Sequence, residues 1–374
     1  MGTLNGITVL EFAGIGPGPF CAMLLADMGA RVIRIDRPEG PLGARDDVVL
    51  RGRRSLVLDL KNPAAIEAVQ RMVLQADALI EGFRPGVMER LGLGPEPLLK
   101  ANPRLIYGRM TGWGQTGPLA KRAGHDINYI ALTGALHAIG NADRPPPPPL
   151  NLIGDYGGGG MLLALGILGA LIERSHSGLG QVVDAAMVDG AALLMAPIYG
   201  MLARGRWTPL RGTNLLDGTA SFYGSYACAC GGYVAVGPIE PAFFAEMLER
   251  LGLDAADFDS RMDPATWPTH KEKLAQAFLG RTRDAWATIF ADSDGCVTPI
   301  LSMAEAPSHA HVAARETFVT AHGAVQPAPA PRFSRTPSTI GAAPPLRGEH
   351  GAEILTEFGF SPQEIENLIP VSTT

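Results

Sequence analysis

The sequence predicts an α/β protein in which a parallel sheet carries helices on both faces and a smaller α+β domain is joined to it by two long linkers. Three observations lead there. Short Val/Ile-rich runs alternate with helix-period stretches through the first 186 residues, the pattern of successive βαβ units. With 374 residues, 46% of them hydrophobic and only 18% charged, the chain has apolar material for two domains. Beyond residue 186 the alternation gives way to Gly-, Asn- and Thr-rich sequence, then resumes as short strands and clustered helices.

Residues 7–12 read as a buried strand, 20–29 as a helix after a Gly/Pro turn, and 31–36 as a second strand, a βαβ opening of Rossmann-like character. Further strands are expected at 55–60, 78–81, 105–110 and 181–184, with helices at 64–74, 88–93 and 161–174. Arg144 is followed by five prolines, Pro145 to Pro149, a stiff extended connector that no helix accommodates. Residues 208–226 have weak periodicity and read as a long crossing segment. A strand at 233–236 and helices at 241–251, 269–280 and 282–292 form the smaller unit; 306–337, punctuated by Pro327, Pro329 and Pro331, returns the chain to helices at 352–358 and 362–368. The expected organisation is a large domain of 1–186 plus 330–374, a linker over 187–223, a small domain over 224–305 and a return linker over 306–329. Long connectors with little structure usually serve function or assembly.

A net charge of −6 argues against a nucleic-acid binder without forbidding a local basic pocket. Cys21, Cys228, Cys230 and Cys296 show no C-x-x-C spacing and read as buried thiols in a reducing compartment. The longest apolar run, 161–172, is too short for a bilayer span, and no basic-then-apolar leader opens the sequence. Met1-Gly2-Thr3-Leu4-Asn5-Gly6 has Gly6 where myristoylation requires Ser or Thr, and Val371-Ser372-Thr373-Thr374 is no peroxisomal address, so a cytoplasmic location is expected.

The first turn, Ala13-Gly14-Ile15-Gly16-Pro17-Gly18-Pro19, invites a dinucleotide reading with Asp36 as ribose partner. The fingerprint's third glycine is Pro19, and Arg37 beside Asp36 suits a phosphate better than a ribose. Arg51-Gly52-Arg53-Arg54 is by itself equally a solvated face. Taken with Arg37 and Arg84-Pro85-Gly86 at strand ends, it suggests guanidinium groups gathered where α/β sheets bind ligands. His125 stands in Ala123-Gly124-His125-Asp126-Ile127-Asn128-Tyr129, and Asp155 stands thirty residues later in Asn151-Leu152-Ile153-Gly154-Asp155-Tyr156, before Gly157 to Gly160. Alone, His125 reads as a satisfied core histidine and Asp155 as a helix N-cap. The glycine run reads equally as close packing or as open N–H groups for an oxyanion. Together, a buried imidazole and a carboxylate at the mouth of a glycine-rich helix are what proton abstraction beside a carbonyl needs: two bases on opposite faces of one carbon. No other His or Cys lies at ligand spacing from His125, so no metal is expected.

Residues 124–129, 151–155 and Val236-Gly237-Pro238-Ile239-Glu240-Pro241, with Trp113-Gly114-Gln115 and Gly178, Gly180 and Gln181, resemble the α-methylacyl-CoA racemases of the family III CoA-transferase (CaiB/BaiF-type) superfamily, and the likeness runs the length of the chain. The resemblance implies racemisation of acyl-CoA thioesters by 1,1-proton transfer, with His125 and Asp155 as bases and Glu240 holding the imidazole. It implies CoA contacts at Ile15, Arg37, Leu58, Asp59, Leu60, Lys61, Gly82, Phe83 and Arg84, and along Gly124, Asp126, Ile127, Asn128 and Tyr129, with Asp126 and Asn128 organising the network. It further implies an interlocked homodimer whose chains thread through each other's linkers, and no cofactor beyond the CoA that enters with the substrate. Two alternatives stand beside it. In a family III CoA-transferase, Asp155 would carry the acyl group as an anhydride; against that, His125 supplies a second base and Gly16 stands where formyl-CoA-type relatives place Gln. A non-catalytic CoA binder would need the arginine groove but not His125, Asp155 and Glu240 together. The acyl chain is not legible.

Overall fold

Six strands pair in parallel in the order β3-β2-β1-β4-β5-β6, the doubly wound arrangement that the alternating pattern predicts. The computed structural model describes residues 2–369; the expectation drawn from Val371 to Thr374 lies outside the described residues. In chain order the elements are β1 (Thr8–Phe12), α1 (Pro17–Asp27), β2 (Arg31–Asp36), β3 (Arg53–Val57), α2 (Pro63–Val73), β4 (Ala78–Glu81), α3 (Val87–Arg90), α4 (Pro95–Ala101), β5 (Ile106–Thr111) and α5 (Asp126–Leu132). A π-helix (Leu152–Met161) runs on into α6 (Leu162–Ser177), followed by β6 (Val182–Ala186) and α7 (Met187–Leu194).

Strand side chains alternate between two cores. Leu10, Ile33 and Leu79 face one, with Met72 of α2; Val9, Val32 and Ile80 face the other, with Leu25 of α1 and Leu163 and Ile167 of α6. This period of two in strands covered on both faces explains their unbroken apolar runs. The continuous helical run Leu152–Ser177 is 26 residues and long enough to cross a membrane by length and composition, longer than the apolar run read from sequence. Leu163, Ala164, Ile167 and Ala170 are buried against the sheet, as in a core helix.

The backbone divides into two units: one comprises the residues up to Thr133, then Pro149–Leu194 and the residues from His311 on; the other comprises Gly134–Pro148 and Met195–Ala310. The smaller unit holds α8 (Ala196–Ala203), β7 (Gly224–Ala227), β8 (Tyr233–Val236), α9 (Pro241–Leu251), α10 (Trp267–Leu279), α11 (Arg283–Ile289) and β9 (Val297–Pro299). Its sheet is antiparallel, in the order β7-β8-β9, over an aromatic core of Phe222, Phe244, Trp267, Phe278 and Trp286. The chain ends with α12 (Ala310–Ala314), the antiparallel pair β10 (Phe318–Ala321) and β11 (Ala324–Pro327), α13 (Gly351–Glu357) and α14 (Pro362–Leu368).

Both expected linkers hold more regular structure than their composition suggested. Within 187–223, α7 and α8 form because their Ala, Leu and Met residues favour helix, and a proline in the first turn of α8 restarts it. Within 306–329, β10 and β11 close a hairpin through His322-Gly323, both with positive φ, as a tight two-residue turn requires.

The Arg51–Arg54 cluster is also reassigned. Arg53 is fully buried and its Nε meets Glu11 Oε2 at 2.9 Å, while Arg34 meets the other oxygen of Glu11 at 2.9 Å. Arg51 is buried on Asp27 at 2.5 Å and on Gln326 of β11 at 2.8 Å. Arg54 lies on Glu353 and Glu357 of α13. A buried guanidinium needs a carboxylate, and Arg53 and Arg51 find theirs within the large unit, on Glu11 of β1 and Asp27 of α1. Arg53→Ala is expected to lower stability by about 3–5 kcal/mol, because it strands a buried charge. Arg54→Ala, whose partners are exposed, is expected to cost under about 1 kcal/mol. Urea unfolding of the two variants measures the contrast.

Candidate active site

A cavity of about 1060 Å³ opens at the carboxyl ends of the strands. The strand order reverses between β1 and β4, and the crevice outside that point is where such sheets admit ligands. Its wall takes Ala13 to Gly16 after β1, Asp36 and Arg37 after β2, Gly82 to Arg84 after β4, Gly112 and Trp113 after β5, and Gly124, His125 and Tyr129. Asn151, Asp155 and Tyr156 of the π-helix segment complete it, so both candidate bases line one space within the large unit.

Asp155 is half-buried in the first turn of the π-helix, not at its N-cap, which is Asn151. The wide π turn is rare and recurs at functional sites. Asn151 Nδ2 donates to Asp155 Oδ2 at 3.0 Å. Gly16 has φ +67°, and a Cβ there would lie 3.3 Å from the same oxygen, so a side chain at this position would be strained and would crowd the carboxylate. Burial pushes the Asp155 carboxyl above its ordinary range; the Asn151 amide opposes this, the charge of Asp126 adds to it, and His125 opposes it. The glycine run packs closely against its neighbours. A Cβ on Gly158 would stand 2.7 Å from the Ala191 nitrogen, and one on Gly190 would stand 1.8 Å from the Gly158 carbonyl oxygen.

His125 is exposed rather than buried as expected, because it precedes α5 at its N-cap with extended backbone. Its N–H donates to Asn128 Oδ1 at 3.0 Å, and the Tyr129 hydroxyl donates to the Gly124 carbonyl, so backbone on both sides of the imidazole is held. Tyr129 also meets Trp113 edge-on at 4.8 Å.

Of the residues expected to contact CoA, Ile15, Arg37, Gly82, Phe83, Arg84, Gly124 and Tyr129 line the cavity. Leu58 is buried in the core, Leu60 packs against that core, and Asp59 and Lys61 are exposed just after β3; none of the four is in the cavity wall. Asp126 is buried under the π-helix, and Ile127 and Asn128 are exposed away from the wall. Glu240 is an exposed N-cap residue of α9 in the small unit, near the guanidinium of Arg261 and the thiol of Cys296. Among the wall residues not singled out in the sequence are Arg122 and Arg347. Arg122 stands three positions before His125 and was open to notice; Arg347 arrives from the far end of the chain and bonds the Gly40 carbonyl.

Residues 4–351 match the family described as CoA-transferase family III. The chain is 48% identical to the α-methylacyl-CoA racemase of Mus musculus, over 98% of this chain and 96% of that protein. It is 47% identical to the α-methylacyl-CoA racemase of Homo sapiens, again over 98% and 96%. Among solved structures, a CAIB/BAIF family protein from Brucella suis superposes with a TM-score of 0.80 at 28% identity, covering 96% of this chain and 99% of that one.

Asn151 stabilises the ionised form of Asp155, so Asn151→Ala is expected to move the Asp155 titration to still higher pH. Carboxyl ¹³C NMR of the folded variant reads the shift, and a downward or absent shift would refute this account of the carboxylate.

Proposed function

The chain belongs to CoA-transferase family III, and on that premise we propose that it interconverts the (R) and (S) forms of 2-methylacyl-CoA thioesters by 1,1-proton transfer. The observation that carries the mechanism is that His125 and Asp155, whose carboxyl burial pushes above its ordinary range, line one cavity. Deprotonation of the α-carbon breaks its C–H bond, delivers the proton to one of the two groups and leaves the electron pair in an enolate over the thioester. The opposite group, protonated, then returns a proton to the other face. A base that works in both directions needs a pKa near the working pH, and burial moves Asp155 that way. Glu240 is assigned to hold the imidazole and stabilise its protonated form, on the strength of the 236–241 motif. No dissociable cofactor is invoked, since the thioester itself acidifies the α-carbon.

Arg37, Arg84, Arg122 and Arg347 line the cavity, and none has a carboxylate partner among the described ion pairs; Arg347 spends one donor on the Gly40 carbonyl, and the other guanidinium groups can meet the phosphates of CoA. Leu152, Met161, Leu165 and Ile172 are exposed along the π-helix and α6, which supports a homodimeric working form.

The rival reading, CoA transfer through acyl-Asp155, requires a nucleophile but no second base, and His125 in the same wall favours racemisation. In heavy water, deuterium is expected at the α-carbon from either enantiomer, with no entry of labelled free acid into the thioester pool and no hydroxylamine-trapped Asp155. Rapid transfer without α-exchange would reverse the choice. His125→Ala is expected to slow exchange of one enantiomer by ~10²–10⁴-fold, the usual contribution of a positioned base, as followed by proton NMR. Arg37→Ala is expected to raise KM for the acyl-CoA far more than it lowers kcat, because a phosphate contact binds ground and transition states alike. Steady-state kinetics with an unchanged KM would remove Arg37 from the binding wall.

A further inference from the structure

Asp126 follows His125 directly and opens α5, yet its carboxylate turns away from the cavity. The residue is 6% exposed, and its Oδ2 accepts the N–H of Gly154 at 2.6 Å and of Asp155 at 2.8 Å. These amides lie in the first turn of the π-helix, where a helix supplies no partner of its own. Gly154 is fitted to the arrangement, since a Cβ there would lie 2.6 Å from Oδ2. The second oxygen, Oδ1, is buried with no hydrogen-bond partner. A neutral amide would satisfy both N–H groups without the cost of burying a charge beside another carboxylate. The charge therefore calls for an explanation that hydrogen bonding alone does not supply.

We infer that Asp126 is a positioning residue of the proton-transfer pair, fastening the turn that carries Asp155 to the helix start that carries His125 and acting on Asp155 through its charge as well. A neighbouring negative charge disfavours ionisation, so Asp126 keeps Asp155 ready to give a proton as well as take one. The direction agrees with the raised Asp155 carboxyl, to which burial contributes most and Asp126 adds. The titratable groups facing Asp155 are Asp126, His125 and Tyr129. On the other elements packed against its helix, Asp27, Arg109 and Arg174 are engaged with Arg51, Glu81 and Asp77, and Asp189 faces Asp184. Asp126 is thus the one carboxylate acting directly on Asp155 among the described residues.

The inference rests on the racemase reading, and the test separates the two. Asp126→Asn keeps an acceptor oxygen for both amides and removes the charge, while burying an NH₂ without an acceptor where Oδ1 stands; Asp126→Ala removes both acceptor and charge. Carboxyl ¹³C NMR titration of Asp155 is combined with α-deuterium exchange of (R)- and (S)-2-methylacyl-CoA across pH. In the Asn variant the Asp155 titration is expected to fall to lower pH. The acid limb of the half-reaction in which Asp155 is the base moves down with it. In the Ala variant kcat is expected to fall ~10²-fold, as misplaced catalytic groups typically show, with KM nearly unchanged. An unmoved titration in the Asn variant overturns the inference. So does a rise in KM at constant kcat in either variant, which would return Asp126 to substrate binding. If the Ala variant does not fold, the Asn variant decides. Wild-type protein without α-exchange would overturn the racemase reading, while the titration would still decide the role of Asp126.

Discussion

A carboxylate that is to meet a carbon–hydrogen bond has to ride on backbone that does not swing, and here a contact between two glycines pins that backbone. Gly158 of the π-helix and Gly190 of α7 cross with no room for a methyl group on either. On its other side the π-helix touches α1, where Gly160 approaches the carbonyl of Pro17. Held between two neighbours, the wide turn presents Asp155 to Gly16 across the cavity mouth. Packed interiors deform poorly, so bulk added at the crossing is transmitted to the carboxylate instead of being absorbed. The same turn explains why the glycines occur as a run: Gly157 and Gly158 meet α7, Gly159 meets both α7 and Pro17, and Gly160 meets Pro17 and Phe20 of α1.

The large unit uses its arginines in two ways. Arg34, Arg51, Arg53 and Arg109 are buried on Glu11, Asp27 and Glu81, where an unpaired charge would be prohibitive. Arg37, Arg84 and Arg122 stand exposed in the cavity wall, with no carboxylate partner among the described ion pairs. These guanidinium groups place local positive charge in a wall that also carries Asp36, Glu39, Asp47 and Asp155, within a chain of net charge −6.

Elements bounded by strong local signals were legible residue by residue. The strands at 31–36 and 78–81 are Val/Ile/Leu runs closed by turns, and the helices at 241–251 and 362–368 open on proline. The helix α4, the pair α7 and α8, and the β10–β11 hairpin were missed because glycine and proline content masked good helix formers and a two-residue turn. At the site, local motifs brought His125 and Asp155 together on paper, and one cavity wall holds both. What failed was anything set by distant partners. Nothing near Arg51 or Arg53 announces Asp27 and Glu11, and nothing near Arg347 announces the loop at Gly40. The exposure of His125 was equally unreadable, since a motif specifies neighbours in sequence and not the solvent around them.

The large unit is assembled from three separate stretches of chain, and the last of them closes one face of the sheet. Ile354, Leu355 and Phe358 of α13 and its flank pack into the core that contains Leu56 of β3 and Met72 of α2. On the ribosome those residues emerge last, after the whole of the smaller unit. From the end of β6 until α13 emerges, the nascent sheet therefore waits with part of one apolar face uncovered, a condition in which chains aggregate or recruit chaperones. Contacts spanning some three hundred residues, such as Arg54 with Glu357, also make the final closure slow. Truncation near the carboxyl end should accordingly be felt as a failure of biogenesis long before it is felt at the reacting carbon.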